Sequence, residues 1–123
     1  MATNLEICDR LFAAIAAGDV DTVRALYAPN AVIWHNYDMV EQTAEQNLAV
    51  LRWVTRNIKG MRYEDSRSFD TGAGFVEQHV LRGTAPNGTP LEVPACVVVT
   101  IEDGLITRLD EYLDTAQTAA LRS

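Results

Sequence analysis

The sequence predicts an α+β domain in which helices pack on one side of a curved antiparallel sheet, and the sheet wraps around a long helix as a cone. Three observations predict it. The 123 residues are 48% hydrophobic, enough for one domain over residues 1–123 with a single core. Apolar residues recur at helical spacing in the first half, and residues 75–114 contain three strand patterns joined by two hairpin signals. Such a cone encloses a cavity, where small-molecule sites usually lie.

The charge pattern narrows the class of partner. The net charge is −7 with a pI near 4.6, and lysine and arginine are scattered without a basic stripe. Binding to nucleic acid or to an anionic membrane is therefore disfavoured, and small molecules or another subunit are favoured. No apolar stretch approaches the roughly 20 residues that span a bilayer, and the first ten residues lack a secretory signal, so we expect a cytoplasmic protein. Cys8 and Cys96 are predicted to be buried free thiols.

The first two elements are predicted to be helices. Thr3 and Glu6 fit a capping box that begins a helix, and Gly18 ends it after about residue 17. A second, short helix is expected over residues 20–27, capped by an aspartate and ended by Pro29.

The middle of the chain alternates between strand and helix patterns. Residues 31–37 are β-branched and aromatic, which predicts a short strand. Residues 40–57 repeat apolar positions at helical spacing and predict a long helix over the sheet, stopped by Gly60. Residues 61–69 predict a second strand. A capping box at residues 114–117 predicts a last short helix to about residue 121.

Three further strands are predicted over residues 75–81, 91–101 and 105–113. Their connections, at residues 86–88 and 102–104, each end in a glycine that would close a type I turn with a bulge. That register places His79 opposite Ala95, and Ala95 opposite Glu111. With tight two-residue turns, Cys96 would instead lie opposite both His79 and Glu111. In either case His79 and Glu111 share one face, two strands and about 10 Å apart.

Alternation along these strands separates an apolar face from a mixed face. The apolar face carries Glu77, His79 and Glu111 among hydrophobic residues, and a charged group in an apolar wall must be paired or have a shifted pKa. Such groups concentrate at functional sites. The opposite face combines Tyr112 and Cys96 with charges, which favours a homodimer contact.

Five segments resemble the nuclear transport factor 2-like superfamily, and within it the SnoaL-like, ketosteroid isomerase-like and limonene epoxide hydrolase-like proteins. They are Ala-Ala-Gly-Asp at 16–19, Leu-Tyr-Ala-Pro-Asn-Ala-Val at 26–32, Gly-Thr-Ala-Pro-Asn-Gly at 83–88, Asp-Gly-Leu-Ile at 103–106 and Glu-Tyr-Leu-Asp at 111–114. The resemblance implies a single SnoaL-like domain with a cystatin-like α+β barrel. It also implies pairing through the outer sheet face. This fold supports many activities, so the site must decide the function.

The resemblance also suggests roles for individual residues. His35 stands where ketosteroid isomerase-like proteins carry the carboxylate that moves the proton. Glu111 matches a carboxylate that helps to activate water in limonene epoxide hydrolase-like proteins. Residues 78–81 lack the Arg-x-Asp of those hydrolases, and Phe12 replaces the oxyanion-binding tyrosine of the isomerases, which argues against either activity in its original form.

We therefore predict a small enzyme that uses acid–base chemistry on a mostly apolar or amphipathic metabolite, by isomerisation, dehydration, cyclisation or hydrolysis. His35 would be the base or acid, His79 its partner, and Glu111 the group that orients water or balances charge. A non-catalytic ligand-binding or dimerisation module is the alternative. Two histidines and a carboxylate also match a mononuclear metal site, but no tight ligand spacing supports one, and neither metal nor cofactor is predicted. The predicted ligand-binding residues are Phe12, Tyr37, Trp53, Tyr63, Phe75, Glu77, Ala95, Val97 and Leu109.

Overall fold

The computed structural model describes residues 2–122, and within them the chain forms three α-helices and a curved sheet of six strands. None of these helices has the length and apolarity needed to cross a membrane. The elements in chain order are α1 Asn4–Ala17, α2 Val20–Leu26, β1 Tyr27–His35, β2 Glu41–Thr43, α3 Ala44–Asn57, β3 Lys59–Asp70, β4 Gly74–Thr84, β5 Pro90–Glu102, β6 Leu105–Leu113 and a short 3-10 helix Ala119–Arg122.

The first helix forms as the sequence predicts, whereas the second ends at Leu26 and not at Pro29, which lies within β1. The Thr3 hydroxyl accepts a hydrogen bond from the Glu6 amide, and the Glu6 carboxylate accepts one from the Thr3 amide, which completes the capping box of α1. Gly18 ends α1 in the left-handed conformation, with a φ of 73° that a residue with a Cβ atom rarely adopts. Asp19 caps α2 through the Thr22 amide.

The third helix begins later than predicted. Thr43 and Gln46 form its capping box, so α3 starts at Ala44, and residues 41–43 form the edge strand β2 beside β1. The prediction of a helix from residue 40 was therefore wrong at its start. It followed apolar spacing and overlooked the Thr-x-x-Gln capping signal. At the other end, Asn57 is the last helical residue and Gly60 lies within β3.

The sheet order is β2-β1-β6-β5-β4-β3. The pair β1 and β6 is parallel, whereas the other pairs are antiparallel, so the sheet is mixed and not wholly antiparallel as predicted. Helix α3 contacts β1 and β2 near one edge of the sheet and β3 at the other edge. One helix can reach both edges only if the sheet curls around it, which gives the predicted cone.

The hairpin between β4 and β5 has the predicted register, with His79 opposite Ala95. The next hairpin does not. Asp103 and Gly104 both have positive φ and form a tight two-residue turn, which shifts the pairing by one residue from the bulged register. A bulge around Thr107 adds a second shift, so Glu111 pairs with Val97 and Ala95 pairs with Leu113. Two shifts of one residue leave Glu111 on the predicted face.

The remaining segments differ in detail. Strand β1 ends at His35, so Tyr37 lies in the following turn and not in the strand as predicted. The last short helix is a 3-10 turn at residues 119–122, preceded by a turn in which the Asp114 carboxylate accepts from the Ala116 amide. This is an Asx-type turn in place of the predicted capping box.

Candidate functional site

A cavity of about 270 Å³ lies between α3 and the sheet. Its wall is mostly apolar, with a few polar groups supplied by different elements. The lining residues are His35, Tyr37, Asn47, Val50, Leu51, Trp53, Val54, Ile58, Met61, Tyr63, His79, Leu81, Val93, Ala95, Glu111, Leu113, Thr118 and Leu121. An apolar cleft with a small number of polar groups is the usual form of a small-molecule site.

The first polar group in the wall is a pair formed by His35 and Glu111. The two residues are neighbours across the parallel strands β1 and β6, and His35 Nε2 lies 3.1 Å from Glu111 Oε1. Their side chains are 10% and 21% exposed, so the pair is sheltered but reachable. The other ring nitrogen, Nδ1, is buried and has no hydrogen-bond partner among residues 2–122. An unsatisfied buried nitrogen of this kind usually marks a functional position.

A second imidazole–carboxylate pair lies on β4, where Glu77 and His79 point to the same side of the strand. Their atoms Oε2 and Nδ1 are 2.7 Å apart, and the side chains are only 5% and 1% exposed. The other carboxylate oxygen of Glu77 accepts a hydrogen bond of 3.3 Å from the Cys8 thiol of α1. Burial raises the pKa of Cys8, and the Glu77 carboxylate raises it further, so the thiol stays protonated and donates.

Aromatic rings hold His79 in place. Its ring centre lies 4.4 Å from that of Tyr63 and 5.0 Å from that of Phe12. Burial raises the pKa of the Tyr63 hydroxyl, and the Glu111 and Glu77 carboxylates raise it further. Tyr63 therefore keeps its proton at neutral pH and can donate a hydrogen bond to a molecule in the cavity.

Asn47, a polar residue of the cavity wall, was missed from the sequence. Asn47 lines the cavity from α3 and accepts a hydrogen bond of 2.8 Å from the Tyr27 hydroxyl. Asn47 is three residues after Ala44 and four before Leu51, so it lies on the apolar side of the helix. A polar residue on the apolar side of a helix was the signal in the sequence that could have identified Asn47. The partnership between Cys8 and Glu77 had no such signal, because it joins residues far apart in the chain.

The structure brings most, but not all, of the predicted site residues to the cavity. Seven line it: His35, Tyr37, Trp53, Tyr63, His79, Ala95 and Glu111. Four predicted ligand-binding residues lie in the hydrophobic core and not on the cavity wall: Phe12, Phe75, Val97 and Leu109. The reason is that α1 packs against β3 and β4 and fills the space over their ends. Glu77 sits behind His79 and also does not reach the wall.

The geometry bears on the predicted alternatives. A cavity filled by side chains, or His79 paired only with Glu111, would favour a module without chemistry. The cavity is open, and each histidine is paired with a different carboxylate, Glu111 for His35 and Glu77 for His79. In the described part of the chain, no group of three histidine, cysteine, aspartate or glutamate side chains is placed to hold a metal ion.

The opposite side of the sheet carries a wider, open groove of about 910 Å³. Cys96 and Tyr112 line it, and Tyr112 also packs against Trp34. Cys96 is a free thiol, but it is half-buried and not fully buried as predicted. Val98 and Tyr112 are exposed on this face. His79 borders this groove as well as the inner cavity, whereas His35 and Glu111 line the inner cavity and not the groove.

The fold and the site together define a class, the cone-shaped α+β proteins that enclose a small cavity equipped with ionisable groups. Within that class the SnoaL-like domain matches residues 8–109. The chain belongs to the SnoaL-like family, which confirms the resemblance stated from the motifs. A comparison with curated proteins finds no match.

Solved structures share the whole fold. IdmH from Streptomyces antibioticus, a candidate polyketide cyclase, is 23% identical over 99% of this chain and 100% of its own, with a TM-score of 0.85. A nuclear transport factor 2-like protein of unknown function from Burkholderia pseudomallei is 23% identical over 98% of both chains, with a TM-score of 0.85. A ketosteroid isomerase-like fold from Catenulispora acidiphila, bound to trimethylamine, is 18% identical over 97% and 93%, with a TM-score of 0.83. At these identities the likeness shows the fold.

Proposed function

We propose that this protein is a small-molecule enzyme that moves protons on a mostly apolar metabolite, in a reaction of the cyclase or isomerase type. The observation that carries the proposal is the pair of His35 and Glu111 at the wall of a cavity of about 270 Å³, with His35 Nδ1 unsatisfied among residues 2–122. Imidazole titrates near neutral pH and is the commonest acid–base group in enzymes. Similarity to candidate polyketide cyclases adds support at the level of the fold.

In this proposal His35 is the base. Glu111 favours a proton on Nε2, because a carboxylate can only accept, and this leaves the lone pair on Nδ1, a buried atom that meets a bound molecule only after the ring turns. The negative charge of Glu111 also stabilises the imidazolium that forms when Nδ1 takes a proton. His79 is the complementary acid, and Tyr63 is a further hydrogen-bond donor to an oxygen atom of the substrate.

The proposed step is balanced without an added reactant. His35 removes a proton from a carbon next to a carbonyl group, and the C–H electron pair becomes an enolate whose oxygen accepts a hydrogen bond from Tyr63, or from His79 when Nε2 of that ring also carries a proton. In a cyclisation the enolate carbon then attacks a second carbonyl carbon of the same molecule, and the new alkoxide takes the proton back from His35. In an isomerisation the proton returns to a different carbon.

The experiment follows the first half of this step with a bicyclic ketone, 2-tetralone, in deuterated buffer. NMR would measure the rate at which the protein exchanges the hydrogens next to the carbonyl. His35→Ala should lower this rate by roughly 100- to 10,000-fold, the usual contribution of a positioned base. Glu111→Gln should also lower it. Glu92→Gln makes the same chemical change on the outer face of β5 and is the matched control, which should keep the full rate.

Exchange that survives in His35→Ala at the wild-type rate would remove the proposal. If the wild-type protein binds the ketone but accelerates no exchange, and a wider panel of carbonyl compounds behaves in the same way, the binding module becomes the better description. Circular dichroism of each variant would separate a loss of chemistry from a loss of fold.

We also propose that two copies pair through the outer face of the sheet. The exposed Val98 and Tyr112 beside the open groove support it. Sedimentation of the wild-type protein at micromolar concentration should give a dimer, and Tyr112→Glu should shift it to a monomer. A wild-type monomer would contradict the pairing.

A further inference from the structure

The Cys8–Glu77–His79 contacts form a chain that the proposed chemistry does not itself require. It runs from the thiol on α1 to a carboxylate and then to an imidazole on β4, with distances of 3.3 Å and 2.7 Å. All three residues are buried, with exposures of 0%, 4% and 3%. Burying a carboxylate costs free energy unless it is paired and hydrogen-bonded, so both of its oxygens are used here.

The chain determines which atom of His79 faces outward. The Glu77 carboxylate engages Nδ1, so Nε2 is the ring nitrogen that remains for another partner. Imidazole is more basic than a carboxyl group by about two pKa units in model compounds, so the shared proton belongs on the ring. A neutral ring held in this way carries its proton on Nδ1 and its lone pair on Nε2.

We infer that Glu77 and Cys8 are positioning residues for His79: Glu77 keeps a proton on Nδ1, Cys8 fixes Glu77, and Nε2 is the atom through which His79 exchanges a proton with a bound molecule. The exchange rests on the proposed function, whereas the position of the ring proton does not. The arrangement is the reverse of His35, where the carboxylate lies beside Nε2 and leaves Nδ1. The cavity therefore holds two histidines in opposite tautomers.

The groups around His79 are consistent with this assignment. Glu77 faces it from its own strand, Tyr63 from β3, and the thiol of Cys8 lies behind Glu77 on α1. Glu111 lines the same cavity from β6. Tyr63 and Cys8 stay protonated because burial raises both pKa values, so the charges near the ring are those of the carboxylates. A positive charge on His79 would therefore be met by the negative charge of these carboxylates.

The test is ¹⁵N NMR of the two histidine rings as a function of pH, with no substrate present. In the wild-type protein the His79 Nδ1 resonance should stay in the protonated range at every pH, while any titration is seen at Nε2. In Glu77→Leu this pattern should be lost, and the ring should move to the Nε2–H tautomer or to a mixture. Glu111→Leu is the matched control, because it removes the partner of His35 and should leave the proton of His79 on Nδ1.

The wild-type spectrum alone can overturn the inference. A His79 Nδ1 that is unprotonated at neutral pH would do so, even if Glu77→Leu fails to fold. A Glu77→Leu variant that folds and keeps the Nδ1–H signature would also do so. Since neither result involves turnover, failure of the proposed function in the ketone exchange assay stays distinguishable from failure of this inference.

Discussion

The two imidazole–carboxylate pairs contain the same chemical groups in different surroundings. His35 and Glu111 come from adjacent strands, lie 3.1 Å apart and are 10% and 21% exposed. Glu77 and His79 come from one strand, lie 2.7 Å apart and are 5% and 1% exposed. Both residues of the first pair line the cavity, whereas only the histidine of the second pair does. In the first pair the buried Nδ1 of His35 has no hydrogen-bond partner among residues 2–122, whereas the second pair is enclosed by a thiol and two aromatic rings.

The comparison shows how burial gives two chemically similar imidazole–carboxylate pairs different roles. A pair that a ligand can reach is able to change its protonation during a reaction, because solvent and ligand can compensate for the change in charge. A closed-off pair loses much stability when one partner is removed, because the other partner is left buried without its hydrogen bond. We therefore expect the cavity pair to control turnover and the enclosed pair to control stability and orientation.

The largest expected effect comes from breaking the enclosed pair. Glu77→Ala leaves the His79 ring and the Cys8 thiol without their acceptor, and loss of one partner of a buried pair typically costs about 3–5 kcal/mol. Glu111→Ala, at the more exposed pair, should cost no more than about 1 kcal/mol. Urea unfolding monitored by circular dichroism would measure both. Equal losses of the free energy of unfolding would contradict the division of roles.

A smaller effect is expected at the thiol that supports the enclosed pair. Cys8→Ala removes one hydrogen bond to a charged group and should lower the free energy of unfolding by about 1–3 kcal/mol. The wild-type thiols offer a second readout. A disulfide reagent should label the half-buried Cys96 in the native protein, whereas Cys8, buried and with a raised pKa, should react only after unfolding. Rapid labelling of Cys8 in the native protein would show that its thiol is accessible, which would contradict the prediction.

The smallest effect should come from the rim of the cavity. Trp53 lines it from α3 and is 44% exposed, so its truncation should not disturb either pair. Trp53→Ala should weaken binding of 2-tetralone by up to about tenfold, through loss of an aromatic contact of about 0.5–1.5 kcal/mol, and leave the unfolding midpoint nearly unchanged. Titration calorimetry would measure the affinity. A large loss of stability would place Trp53 in the core instead.

Local signals in the sequence predicted most of the fold. Thr3 with Glu6, and Gly18, fixed the ends of α1 because capping depends on residues only a few positions apart. The parallel pairing of β1 with β6 was not predicted, since nothing in either segment indicates a partner about 75 residues away. Strand β2 was also missed, because it is only three residues long.

Alternation of side chains along the strands predicted part of the candidate site. The pattern placed His79 and Glu111 on the inner face, and both line the cavity. It could not identify the partners of these groups. Glu77 was predicted to bind ligand from the same face, whereas its contact with Cys8 depends on how α1 packs over β4. Contacts between helix and sheet are set by the packing of the whole core, which periodicity does not encode.

The register of the β5–β6 hairpin decides which face of the sheet carries Glu111. Glu111 faces inward because its two register offsets add to an even number. Deleting a single residue between Val97 and Glu111 would therefore turn that carboxylate to the outer surface and bring Asp110 or Tyr112 inside. Removal of two residues would restore the orientation, so we expect the protein to tolerate changes in hairpin length only when they involve an even number of residues.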